Sequence, residues 1–277
     1  MAPFPDMNRS RLVRLLRATP WWLVAIAGLF ALLAAAVLRS ETYQQIFAAL
    51  GSGISTTVFV TLVAFALATL GGLLVALAFQ APWLALRQVA RFYCELVRGI
   101  PVLVLLFYMA FVAAPALVAF ANAVLAVPRE AGLVPLLETR DFSLVWRAIL
   151  ALAISYSAFI AEVFRAGLQS VDTGQLDAAK ALGLSPWAAF RHVRFPLALR
   201  TILPPLGNDF ISMVKDSALV SVLGVTDITQ MAKVYASGSF QFFETYNVVA
   251  LVYLMMTIGL SLALRGLEKR LRRHLAR

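Results

Sequence analysis

The chain has 277 residues, of which 61% are hydrophobic and only 14% charged, far below the roughly 25% charged residues of soluble domains. Its single cysteine, Cys94, excludes an intramolecular disulfide framework. The net charge of +10 would suit a nucleic-acid partner, but the cations cluster at the ends of apolar runs, and that placement excludes the reading.

In chain order, Arg9, Arg11, Arg14 and Arg17 precede an apolar run over Trp21–Leu38. About eighteen residues at about 1.5 Å each span roughly 27 Å, just enough for the hydrocarbon core. Trp21 and Trp22 would anchor it at the interface. Cleavage as a signal peptide near Ala34-Ala35-Ala36 is the alternative, against which the run is long. A second span is predicted at about Ile54–Phe79, with Thr56, Thr57, Thr61, Thr69, Gly71 and Gly72 allowing close helix approach in lipid. The third is placed at about Ile100–Val118, where Pro115 would kink or end it. Ala119–Ser143 reads as an extramembrane loop, with Phe120–Val127 extending the helix. Further spans follow at about Leu144–Phe164, Leu197–Leu223 and Tyr246–Leu264. The runs are too long for barrel strands.

Six spans put both termini on one side. On that side fall Arg9 to Arg17, Arg87, Arg91, Arg98, Arg165, Lys180, Arg191, Arg194, Arg200 and the basic tail from Arg265 to Arg277. The other side has only Arg39, Arg129, Arg140, Arg147 and Lys233. The positive-inside rule therefore predicts cytoplasmic termini. Cleavage of the first segment would not change the orientation of the rest.

Between the fourth and fifth spans lies Leu176–Pro196, LDAAKALGLSPWAAFRHVRFP. Ala178, Ala179 and Ala181 are spaced for a helix, Gly183 interrupts it, and Ser185 caps a second helix with Pro186 at its first position. The second helix is expected to end near Pro196. The result is a small-faced elbow on the cytoplasmic side, with Lys180, Arg191 and Arg194 able to steer it to an acidic partner. A plain connector between two spans would have the same spacing.

Asp177-Ala178-Ala179, Gly183 four residues beyond the triplet, then Val193 and Pro196, together resemble the "E-A-A" loop of the membrane subunits of ATP-binding-cassette importers. Asp177, Val193 and Phe195 are mild departures. AEVFRAGLQSV before the loop and PPLGNDFISMVKDSALVSVLGV after it are similar to the polar amino acid branch. Glu95-Leu96-Val97-Arg98-Gly99-Ile100-Pro101 resembles that family's E-L-x-R-G-x-P stretch, a helix-entry and subunit-contact feature. The resemblance runs from about Gly51 to the C-terminus.

Asp209, Met213 and Asp216 recur at i, i+4 and i+7 in the fifth span and so share a helical face. A carboxylate at a helix centre costs roughly 2.5–3.5 kcal/mol on insertion scales, so each needs a partner or water. Either they line a wet path that receives an ammonium group, or they pair internally with Lys215 or an arginine. Asn208, Phe210 and Ser212 complete the candidate substrate set, and the resemblance implies that this helix contacts the transported ligand. Glu162 is assigned to structure, beside Arg165. Neither H-E-x-x-H nor CxxC is present, so a metal site has no sequence support. His192 and His274 read as surface residues. No histidine is placed to activate Ser155 or Ser157, and G-x-x-x-x-G-K-[ST] is absent, so ATP hydrolysis would need another chain.

The sequence thus predicts an all-α polytopic membrane protein with about six transmembrane helices and a type I importer permease-like core. Residues 1–50 would form a basic segment plus an extra helix. Residues 51–277 would form the five-helix core, with the coupling loop at about 165–196. The expected function is that of a non-enzymatic permease subunit for a polar amino acid in the bacterial inner membrane. Asp177, Ala178, Ala179, Gly183, Arg191 and Pro196 would couple it to a cytoplasmic P-loop ATPase dimer. A second permease subunit, identical or homologous, and an external solute-binding protein would complete the assembly, with ATP on the partner and no cofactor in this chain. An ion-gradient-driven transporter or channel is the alternative. The cargo is not specified.

Overall fold

The computed structural model describes residues 21–130 and 133–273. The arginines before Trp21, and His274, lie outside them. The described residues form helices joined by short turns, without a strand. In order these are α1 (Trp21–Arg39), α2 (Glu41–Ala78), α3 (Leu84–Gly99), α4 (Val102–Val124), α5 (Leu144–Gln169), α6 (Thr173–Ala181), α7 (Phe195–Asp216), α8 (Ile228–Ser239) and α9 (Phe242–Arg273).

Four described helices are long and apolar enough to cross a membrane: α2, α4, α5 and residues Phe242–Lys269 of α9. They correspond to the second, third, fourth and sixth predicted spans. The first predicted span is α1, and the fifth is α7, whose Arg200, Asp209, Lys215 and Asp216 leave it more polar. The predicted limits need correction in several places. α2 starts at Glu41, not Ile54, and runs unbroken through the expected boundary at residue 50. α4 passes Pro115 through a π-helical turn at Met109–Ala113. α7 stops at Asp216, and Ser217–Leu223 forms a 3-10 helix closed by left-handed Gly224, φ 81°. α3 and α8 were not anticipated, being too polar to stand out as apolar runs.

The core is the contact of α2 with α5. Val60, Ala64, Ala68, Gly72 and Ala76 recur every four residues along α2, and all are buried. They face Ala148, Ala151, Leu152 and Ile160 of α5 in one cluster that includes Ile202 and Met213 of α7. Small residues matter because lipid tails are as apolar as leucine, so helices associate through close van der Waals packing. A Cβ on Gly72 would lie 2.7 Å from the Ile160 side chain and 2.9 Å from the Ser157 carbonyl. Gly72 and the threonines stand out in the sequence; the alanine stripe of the α2–α5 contact does not.

Near the opposite end of α5 from the elbow sits a buried cation. Arg147 is 7% exposed and donates to the carbonyls of Phe142 (2.7 Å), Ala110 (3.1 Å) and Thr139. Ala110 lies in the π turn, where the Ala114 N–H bonds to Met109. Pro115, five residues beyond Ala110, has no N–H to give. The guanidinium supplies the missing donor. In the sequence Arg147 counts only as one of the few cations on the side opposite the termini.

Candidate functional site

Two neighbouring regions belong to the same pair of helices. α5 and α7 are joined through the elbow at one end and bonded side chain to side chain towards the other.

Each half of the elbow is built by local capping. Asp172 accepts the Gly174 N–H at 2.6 Å and starts α6. The helix ends in a Schellman arrangement: Leu184 N–H donates to Ala179 O at 3.1 Å and Gly183 N–H to Lys180 O at 2.9 Å. Gly183 has φ 77° with open space around its Cβ position, so backbone conformation, not crowding, demands glycine there. Ser185 accepts the Ala188 N–H at 3.3 Å, and Pro186 opens the next turn. Both capping expectations match. The expected end near Pro196 does not. Pro186–Ala189 continues through a π turn at Phe190–Arg194 directly into α7, with Pro196 in its first turn. The Phe195 N–H bonds to Phe190 O, and this wider turn accommodates a residue without an N–H.

Of the candidate coupling residues, Asp177, Ala178, Gly183, Arg191 and Pro196 are exposed. Ala179 is turned inward at 3% exposure, supporting the elbow from beneath. Asp177 pairs with Lys180 at 3.1 Å, an exposed bond of small energetic weight. Leu182 and Trp187, 82% and 65% exposed, make the elbow tip more apolar than the alanines suggested. The helical spacing of the alanines gave no sign of them.

The second region is the acidic face of α7. Tyr156 of α5 donates its phenol O–H to Asp216 Oδ2 at 2.7 Å, satisfying one carboxylate from the neighbouring helix. Asp209 Oδ2 is buried without a hydrogen-bond partner. Met213, between them on the same face, is fully buried in the apolar core. Asn208 is exposed and Ser212 half-buried. Phe210 occupies a different face: it packs on Phe65 at 4.8 Å and, with Val214, lines an apolar groove against α2 and α9. The fold therefore joins Asp209, Met213 and Asp216 as one stripe and separates Phe210 from it. Lys215 is exposed and makes no ion pair with either aspartate.

Tyr156 lies between Ser155 and Ser157 in the sequence, and nothing there marks it as the partner of Asp216. Its ring stands 6.3 Å from that of Phe159, and the Arg98 guanidinium sits 5.7 Å above Phe159. Glu162 pairs with Arg165 at 2.5 Å, as expected. No cluster of three or more metal-binding side chains occurs among the described residues.

A profile of the family described as "Binding-protein-dependent transport system inner membrane component" matches residues 68–277. A probable amino-acid permease protein, YxeN of Bacillus subtilis, is 34% identical over 76% of this chain and 86% of its own length. The glutamine transport system permease protein GlnP of Escherichia coli is 36% identical over 69% of this chain and 77% of its own. Among solved structures, an amino acid ABC transporter crystallised with histidines superposes with a TM-score of 0.66 at 34% identity, covering 83% of this chain and 95% of that one. An inward-facing MetNI methionine ABC transporter superposes with a TM-score of 0.61 at 19% identity, covering 84% and 99%, a likeness of fold alone.

Proposed function

The chain belongs to the inner-membrane components of binding-protein-dependent transport systems, and on that footing we propose that it carries a polar amino acid inward, driven by ATP hydrolysis on a separate chain that it grips through the elbow. Membership makes it a multi-pass permease subunit of the amino-acid ABC importer kind.

One observation carries it. The helices that the elbow joins, α5 and α7, are the helices that Tyr156 and Asp216 bridge at 2.7 Å. A push on the elbow tilts both, and so acts on the bridge. Asp216 and the unpartnered Asp209 form the face that receives the ammonium group of a zwitterionic or cationic amino acid, by charge complementarity. Asn208 and Ser212 flank that face. Met213 holds its buried side, and Phe210 fixes α7 against α2.

On the other partner's side, Ala178, Leu182 and Trp187 enter a groove of the ATPase, and Lys180, Arg191 and Arg194 steer the approach. Asp177, Ala179, Gly183 and Pro196 hold the elbow in shape. Closure of the ATPase dimer on ATP opens the Asp209–Asp216 face to an external solute-binding protein. Reopening returns it to the cytoplasm. A second permease subunit, identical or homologous, completes the passage. The positive-inside distribution supports cytoplasmic termini and a cytoplasmic elbow.

The test is reconstitution. Uptake of a labelled amino acid into proteoliposomes requires the partner ATPase and ATP. Uptake by this chain alone, driven by an ion gradient, would replace the proposal with a secondary transporter or channel.

A further inference from the structure

Arg91, Glu95 and Arg98 recur at i, i+4 and i+7 along α3, and so share one face. That face is exposed and borders the buried stripe of Ala90, Cys94 and Val97 that packs on α5. Arg98 lies over Phe159 at 5.7 Å. Beyond it, Arg91 and Glu95 line a cleft of about 410 Å³ with Glu162, Arg165, Gln169 and Arg194. The volume is within the roughly 300–1,000 Å³ of small-molecule sites.

The charges in this cleft fall into two sets. Glu162 and Arg165 are spent on each other at 2.5 Å, with Arg165 also donating to Gln169 at 3.0 Å. Arg194 Nε donates to the Leu168 carbonyl at 3.2 Å. Arg91 and Glu95 form no ion pair among the described residues, although they stand one helical turn apart in the same cleft. An unspent guanidinium and an unspent carboxylate in one concavity match the two charges of a zwitterion.

A line of side-chain contacts also links the cleft to the acidic face of α7. Asp216 accepts from Tyr156 at 2.7 Å, Tyr156 stands 6.3 Å from Phe159, and Phe159 lies beneath Arg98. Along this line the charge alternates: Asp216, then Arg98, then Glu95 and Arg91. Bare lipid-facing surface would have no use for such an order, since each charge at membrane depth is costly without a polar partner.

We propose that this cleft is a second station for a zwitterionic α-amino acid, with Glu95 taking its ammonium group and Arg91 its carboxylate. The cargo reaches it from Asp216 past Tyr156, Phe159 and Arg98. The inference rests on the reading of the α7 face as substrate path and adds where the cargo goes next. Its charges are more open to water than Asp216, so it holds the amino acid weakly and serves release. Arg194, which belongs to the elbow's π turn, forms part of its wall, so the station changes shape as the elbow moves.

Cys94 is the chain's one cysteine and lines the cleft, so Cys94→Ser combined with Gln80→Cys places a single reporter thiol on the cleft wall. The permease–ATPase complex is held in inside-out vesicles and treated with a membrane-impermeant thiol reagent. L-Glutamine, whose side chain bears no charge, reports the zwitterion alone; butyramide keeps the amide and lacks the zwitterion. Millimolar L-glutamine is expected to slow labelling several-fold and butyramide to leave it unchanged. Glu95→Gln with Arg91→Gln abolishes the protection while the thiol still reacts. Asp216→Asn abolishes uptake and keeps the protection. An unchanged labelling rate with L-glutamine, equal protection by butyramide, or protection that vanishes in Asp216→Asn overturns the second station. Uptake persisting in Asp216→Asn overturns the substrate-path reading of α7 and with it the route, a result distinct from loss of protection with transport otherwise intact.

Discussion

The chain contains the same local device twice, in opposite surroundings. At Met109–Ala113 a π turn precedes Pro115; at Phe190–Arg194 a π turn precedes Pro196. In each, the N–H just before the proline reaches back five residues, to Met109 or to Phe190. In each, the next carbonyl along, of Ala110 or of Arg191, faces a proline with nothing to donate. In the first turn Met109 and Ala110 are buried, and Arg147 locks the free Ala110 carbonyl together with those of Phe142 and Thr139. The second is at the surface of the elbow, where Arg191 and His192 are exposed. Identical backbone irregularity is therefore a weld in one place and a joint in the other. The difference is made by a single buried guanidinium.

The largest effect is expected from breaking the weld. Arg147→Met keeps the apolar volume and leaves three carbonyls without their charged donor. The Ala110 carbonyl is the buried one, at about 1–3 kcal/mol for an unsatisfied group; with the two part-buried bonds to Phe142 and Thr139 added, the variant should lose about 3 kcal/mol. Membrane-inserted yield and the melting temperature in detergent should both fall, while uptake per folded molecule holds. A melting temperature equal to the parent's would show that the first turn needs no lock.

On the joint side, Gly183→Pro should abolish ATP-driven uptake with wild-type insertion. Proline fixes φ near −65°, whereas Gly183 sits at 77°, and the N–H that reaches Lys180 O at 2.9 Å would be lost. Gly183→Ala meets only the backbone penalty of about 1–2 kcal/mol, and should reduce the transport rate several-fold. Wild-type uptake by the proline variant would remove the elbow from the mechanism.

Between the two lies the bridge. Tyr156→Phe removes the bond to Asp216 without changing the ring. A loss of about tenfold in uptake efficiency corresponds to about 1.4 kcal/mol, the low end for a hydrogen bond to a charged group. Initial uptake rates against external amino acid concentration read it directly, and no change would deny the bridge a part in transport.

The sequence made the apolar helices legible because their signal is local: a run of hydrophobic residues announces a membrane helix wherever it is packed. It made Gly183, Ser185 and Pro186 legible because capping chemistry is local too. What it hid depends on neighbours far along the chain. Tyr156 and Asp216 are 60 residues apart, and nothing in either segment marks the other. Arg147 was one cation in the charge count of the outer side until the π turn supplied an unpaired carbonyl 37 residues away. The second elbow helix was expected to end near Pro196 because a new apolar run begins there. The π turn before it makes it a continuation. Phe210 was placed with the aspartates by adjacency in sequence, and the helical period turns it towards Phe65 instead.

The smallest and most pointed comparison pairs Pro115→Ala with Pro196→Ala. Alanine at 115 offers an N–H to Ala110 O, which has two lone pairs and can accept it beside Arg147. Buried Met109 and Ala110 and the Arg147 clamp hold α4 against rewinding, so stability should change by less than about 1 kcal/mol and transport hardly at all. Alanine at 196 is free of such a clamp. The π turn can relax to regular α-helix, which shifts the register by one residue and turns Trp187 by about 100° around the axis of α7. Insertion and melting should match the parent, yet fewer amino acids should be moved per ATP consumed. Measuring uptake and ATP hydrolysis in the same proteoliposomes separates the two cases. Equal behaviour of the two variants would mean that surroundings do not distinguish the turns, and that the elbow moves as a rigid continuation of α7 without a joint of its own.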